Sequence, residues 1–129
     1  MGILSKSDIF SARDIKTITV AVPEWGGEVL VKTLTGTERD NFEQSLIGDD
    51  RKVSMTDARA RLCAASIVDE EGSRLFTDAD IAALGQKSGK ALDRVYSAAS
   101  RVSGLTAADF EEMVKNSGMP GPQGDSTSS

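Results

Sequence analysis

The stretch Thr17-Ile18-Thr19-Val20-Ala21-Val22-Pro23-Glu24-Trp25-Gly26-Gly27-Glu28-Val29-Leu30-Val31-Lys32-Thr33-Leu34 breaks the rhythm of the rest of the chain. From Thr17 to Val22 it alternates. Ile18, Val20 and Val22 fall on one side, and Thr17, Thr19 and Ala21 on the other, the period-two pattern of a half-buried strand. Pro23 ends that strand, the paired glycines permit positive φ, and Val29 to Leu34 is again rich in β-formers. The reading is a β-hairpin. Its second strand is apolar on both sides, with Val29 and Val31 on one face and Leu30 and Leu34 on the Lys32 face. Two apolar faces need two covers, and a helix on one with a partner chain on the other is one physical answer. Trp25, the only tryptophan, lies in the turn, where it either folds back over the hairpin or anchors a partner.

Outward from the hairpin the chain reads as helices. Ser/Thr-x-x-Asp/Glu starts occur at Ser5 with Asp8, Thr35 with Glu38, Ser54 with Asp57, Thr77 with Asp80, and Thr106 with Asp109. In such a box the hydroxyl accepts from the third helical amide while the acid reaches back, and an early acid suits the helix dipole. Gly48, Gly85, Gly104 and Gly118 stand where a left-handed residue closes a helix. The spacing predicts helices near 5–12, 36–47, 55–67, 78–84, 89–103 and 107–116. Their inner faces carry Phe42 and Leu46; Met55, Leu62 and Ala65; Ile81 and Leu84; Leu92, Val95, Ala99 and Val102; and Phe110, Met113 and Val114. Asp69-Glu70-Glu71-Gly72 is a turn that makes either a small hairpin over 67–76 or a connection between helices, with the connection slightly favoured. The predicted fold class is mainly α with one N-terminal β-hairpin (α+β). One small helical domain spans 1–117 with the hairpin at about 17–34, and 118–129 is a disordered Pro/Gly/Ser-rich tail.

The chain has 129 residues, 15 basic and 20 acidic, for a net charge of -5. That balance argues against nucleic acid, which requires a clustered basic surface. Histidine is absent and Cys63 is the only cysteine, so His-dependent triads, His metal sites and intrachain disulfides are all excluded. No apolar run approaches the roughly 18 residues of a membrane span, and no signal-peptide core is visible at the start. The expectation is a soluble intracellular domain with no membrane and no nucleic-acid partner.

Motifs that invite chemistry have plainer readings. Gly85-Gln86-Lys87-Ser88-Gly89-Lys90 has too few residues between its glycines for a phosphate loop, and Ala91 stands where a magnesium ligand is required. It reads as a helix stop and the next helix start. The carboxylates at 69–71 and 78–80 suit a solvated turn and a cap, since no apolar wall stands beside them to raise a pKa. Cys63, between Leu62 and Ala64, reads as a small buried hydrophobe. Arg59, Arg61, Arg94 and Arg101 read as a solvated, ion-paired surface. No cofactor is implied, and an enzyme would have to assemble Asp, Glu, Lys, Tyr96 or Cys63 across chains.

The order of features carries a resemblance. A short leading helix precedes Val20-Ala21-Val22-Pro23-Glu24-Trp25-Gly26-Gly27-Glu28-Val29-Leu30-Val31, followed by Leu34-Thr35-Gly36-Thr37-Glu38-Arg39-Asp40-Asn41-Phe42-Glu43. Then come Val68-Asp69-Glu70-Glu71-Gly72-Ser73-Arg74-Leu75-Phe76-Thr77-Asp78, Ala83-Leu84-Gly85-Gln86-Lys87-Ser88 and Ala91-Leu92-Asp93-Arg94-Val95. Over about residues 3–117 the chain resembles the tail assembly chaperones of long, non-contractile-tailed bacteriophages and prophages.

The resemblance implies a non-enzymatic protein of the host bacterial cytoplasm. It would bind the tape measure protein, help tube protein polymerise around it, and be absent from the mature virion. It further implies that a programmed frameshift adds a C-terminal extension to a minority of chains, through which the major tail tube protein is recruited. The present chain corresponds to the shorter form. The hairpin's apolar character on both faces points to a homo-oligomer whose interface draws on Val20, Val22, Trp25, Leu30, Lys32 and Leu34. The alternatives are another phage structural adaptor, such as a tail completion or connector protein, and last a small oligomeric enzyme.

Overall fold

The computed structural model describes residues 2–105 and Glu112. Helix α1 (Lys6–Ser11) is followed by strand β1 (Thr17–Val22), a 3-10 turn over Pro23–Trp25, and strand β2 (Gly27–Lys32). Helices α2 (Gly36–Ser45) and α3 (Ala58–Ser66), the short strand β3 (Ile67–Val68), helix α4 (Ile81–Leu84) and helix α5 (Gly89–Val102) complete the order.

The hairpin forms where the alternation places it, antiparallel from Thr17 opposite Lys32 to Val22 opposite Gly27. Pro23 opens the 3-10 turn with its fixed φ, and Gly26 closes it at φ 77°, a conformation that favours glycine. β3 adds to the other edge of β2, with Leu30 opposite Val68 and Val31 opposite Ile67, so the sheet order is β1-β2-β3. Ile18, Val20, Val22, Val29, Val31 and Ile67 therefore share one face, over which α5 packs, itself against α3. Val22, Val31, Leu62, Cys63, Ile67, Ala91 and Val95 are fully buried between these layers. The result is a mostly helical α+β domain on a three-stranded antiparallel sheet.

The long helix matches its expected span, with Leu92, Val95 and Ala99 buried and Val102 half-buried. Ser88 supplies its N-cap by accepting from the Ala91 N–H at 3.2 Å. α2 carries the reciprocal box: Thr35 Oγ1 accepts from the Glu38 N–H, and Glu38 Oε1 accepts from the Thr35 N–H. At the third expected start the chain departs. α3 begins at Ala58 rather than Met55, because the Ser54 N–H donates to the Leu46 carbonyl and an Ile47–Val53 bridge holds this segment in a loop. The Ser54 hydroxyl accepts from the Thr56 N–H instead of capping, and Met55, expected inside, is exposed.

Two of the stop glycines also work differently. Of the three within the described residues, Gly104 (φ 73°) takes the left-handed conformation; Gly48 does not, and Gly85 lies at φ -65°. A Cβ at Gly85 would lie 2.7 Å from Asp57 Oδ1, so the Asp57 side chain would have to shift to admit one. The segment 67–76 is a short hairpin and not the favoured helix connection. Val68 bridges Arg74, the Leu75 N–H donates to the Ile67 carbonyl, and Asp69 Oδ1 accepts from both the Glu71 and Ser73 N–H groups. Gly72 at φ 88° completes that turn. The expected helix at 107–116, its cap Thr106, the Gly118 stop and the 118–129 tail lie outside the described residues.

Candidate functional site

Of the six hairpin residues expected at an interface, Val22 and Leu34 are buried in the chain's own core. Lys32 is also buried, on the opposite face of the sheet, where its ammonium donates to the Thr33 carbonyl and pairs with Glu38. Burial pushes the Glu38 carboxyl up, but the Lys32 ammonium and the Thr35 N–H outweigh it and hold the group below its usual range. Val20, Trp25 and Leu30 remain half-covered, and Trp25 packs against the core from the turn. Glu24 beside it accepts from Arg94 Nε at 2.8 Å, which ties the turn to α5 and lowers the Glu24 pKa.

The second apolar face of the sheet is thus covered in pieces. The first turn of α2 closes its Lys32 end, and the 69–75 turn covers Val68. Between them an open groove of about 600 Å³ remains, with Leu30, Val68 and Leu75 along it and Glu28, Glu70 and Glu71 at its rim. Leu75 is 54% exposed there. A second groove of about 420 Å³ runs between α2 and the α3–α4 corner, lined by Phe42, Ala65 and Ile81 among the charges of Glu38, Arg61 and Arg74.

Among the described residues, most of the exposed large apolar side chains lie on the N-terminal arm, residues 2–16. α1 is well made: Ser5 Oγ accepts from the Asp8 N–H at 3.1 Å and Asp8 Oδ2 accepts from the Ser5 N–H at 2.9 Å. Those bonds lower the Asp8 pKa. Yet no residue of α1 is buried, and Ile3, Leu4, Ile9, Phe10 and Ile15 are all exposed, Phe10 to 78%. The arm meets the body at Lys16, whose N–H donates to Thr33 Oγ1 and whose carbonyl accepts from the Thr33 N–H. Sequence reasoning located this helix and missed its surface. The signal was present, because α1 was the one predicted helix to which no inner face could be assigned.

The remaining candidates are structural. Burial pushes the Cys63 thiol up to about 12, and its Sγ lies against the Leu92 carbonyl, so it is no nucleophile. Arg59 pairs with Asp93 and lies 5.9 Å from the Tyr96 ring centre. Asp80 Oδ2 accepts from the Thr77 N–H at the start of its 3-10 turn, and Arg74 spans from the Ala64 carbonyl to Asp78. Among the described residues no group of His, Cys, Asp or Glu could hold a metal ion, and no helix is long and apolar enough to cross a membrane.

Comparison with known proteins places this arrangement. A family model for phage tail assembly chaperones matches residues 9–116. Among solved structures, the tail assembly chaperone of bacteriophage HK97 superposes with a TM-score of 0.56 at 17% identity, covering 78% of this chain and 94% of that one. At that identity the likeness is one of fold. A search of curated proteins gave no match.

Proposed function

The chain belongs to the phage tail assembly chaperone family, whose members are not enzymes, and from that premise we propose that it holds the tape measure protein while the tail is built. The proposed action is physical. A tape measure protein is a long helical chain with exposed apolar faces, and apolar grooves of the helix-in-groove kind keep such faces from aggregating. Several copies, self-associated through surface left open by the fold, line the tape measure protein and leave as tube protein polymerises around it, so none remains in the finished virion. A longer, frameshifted form brings the major tail tube protein. The interface between copies draws on the half-covered hairpin residues Val20, Trp25 and Leu30.

The observation that carries this reading is the family match through nearly all of the folded body. The extent of exposed apolar surface outside the core supports it, because patches of this kind mark interaction sites. Co-expression with the tape measure protein of the same phage tests it. The expected result is a soluble complex holding several copies of this chain per tape measure protein. Tape measure protein that stays insoluble, with this chain eluting alone, would overturn the reading.

A further inference from the structure

We propose that the N-terminal arm of one copy docks in the sheet groove of a second copy, with Ile9 and Phe10 on the groove's apolar floor and Lys6 and Arg13 against its acidic rim. The proposal deepens the self-association named above and rests on that part of the reading.

The arm is a formed element, and among the described residues nothing buries its helix. Ile9 is 56% and Phe10 78% exposed, and Lys6 stands one helical turn before Phe10. So short a helix is marginal in water even with a complete cap box, and docking its apolar face supplies the missing stabilisation. The groove has the complementary make-up. Leu30 and Leu75 offer apolar surface, while Glu28, Glu70 and Glu71 stand around it and form no ion pair among the described residues. Of the arm's two acids, Asp8 is held by Ser5 and Asp14 lies beyond the helix, while Lys6, Arg13 and Lys16 leave the arm with a net positive charge to meet that rim. Charge of opposite sign around an apolar floor fixes register and disfavours wrong partners.

The occupant is a second copy because the arm leaves its own groove empty. Its linker is extended from Ala12 (ψ 139°) and is tied to the sheet at Lys16, close in sequence to the groove residue Thr19. Exchange of an identical element between copies satisfies both surfaces without bending that short linker, a low-cost route to association.

Two measurements on the full chain test the docking. A chain carrying Phe10→Cys is mixed with one carrying Leu75→Cys under mild oxidation, with the buried native Cys63 staying out of the reaction. With the two chains in equal amounts, the expected result is that mixed disulfide dimers far exceed half of all dimers, the share that random pairing gives. Random pairing would overturn the proposal, as would an intrachain link formed at high dilution by a chain carrying both substitutions. In sedimentation velocity, Glu70→Lys with Glu71→Lys weakens self-association by about tenfold or more, and adding Lys6→Glu with Arg13→Glu restores it. Charge reversals that leave the mass unchanged would contradict it. A Phe10→Ser chain that keeps its mass but loses the tape measure protein would also overturn it and assign the arm to that partner. Soluble capture of the tape measure protein by a monomeric Phe10→Ser chain leaves its chaperone role standing and supports the docking alone.

Discussion

Helices α1 and α5 begin with the same chemistry and end in opposite places. Each opens on a serine whose hydroxyl accepts from the third amide, Ser5 from Asp8 at 3.1 Å and Ser88 from Ala91 at 3.2 Å. α5 then buries Ala91, Leu92, Val95, Ala98 and Ala99, whereas α1 buries nothing although it carries Ile9 and Phe10. Capping decides where a helix starts. Whether its apolar side is covered depends on the rest of the chain, and among the described residues nothing covers that of α1.

The comparison can be broken most easily at its largest energies. Leu62, fully buried on α3, should cost about 2–5 kcal/mol when replaced by alanine, read as a lowered denaturant midpoint. Phe10→Ala in the dilute chain should stay within about 0.5 kcal/mol, as substitutions at exposed sites do. Equal losses would mean that the arm belongs to the core after all. Next in size are the caps. Thr35→Ala should destabilise the whole domain by about 1 kcal/mol, because α2 is packed through the buried Phe42. Ser5→Ala should lower helix content by circular dichroism and leave the global midpoint where it was.

The smallest effect is a pH dependence. Glu38 is held below its usual pKa in the folded chain, so the stability it contributes is complete above the ordinary glutamate range. It is lost as pH falls through the depressed value. Glu38→Gln should therefore flatten the acid limb of a stability–pH curve. Protonation of Asp8, lowered in the same way by its bonds to Ser5, should loosen α1 without moving that limb.

Much of this was readable from residue order. Alternation over Thr17–Val22 and the Pro23–Gly27 break place the hairpin to within a residue or two, and the Thr35–Glu38 box opens α2 where the structure does. The failures have local causes. Ser54 carries a cap signature but spends its hydroxyl on Thr56 and its N–H on Leu46, a tertiary use that no spacing reveals. Ile67–Val68 looks like the end of a helix until β2 offers an unpaired edge. Gly85 reads as a left-handed stop, yet it stays at negative φ, packed beside Asp57, a neighbour remote in sequence. Of the six expected hairpin residues, Val22 lies on the sheet face that α5 covers, whereas Lys32 lies on the other, which was read as open to a partner. In fact α2 and the 69–75 turn reach around to cover part of the second.

Hydrogen exchange on the full chain, followed residue by residue from high dilution into the associated state, tests the division between body and arm most directly. The expected result is fast exchange across α1 at dilution beside a protected body, with new protection on association confined to α1 and to the groove strands. An arm already protected in the monomer, or association that slows exchange elsewhere and leaves the arm unchanged, would contradict the account.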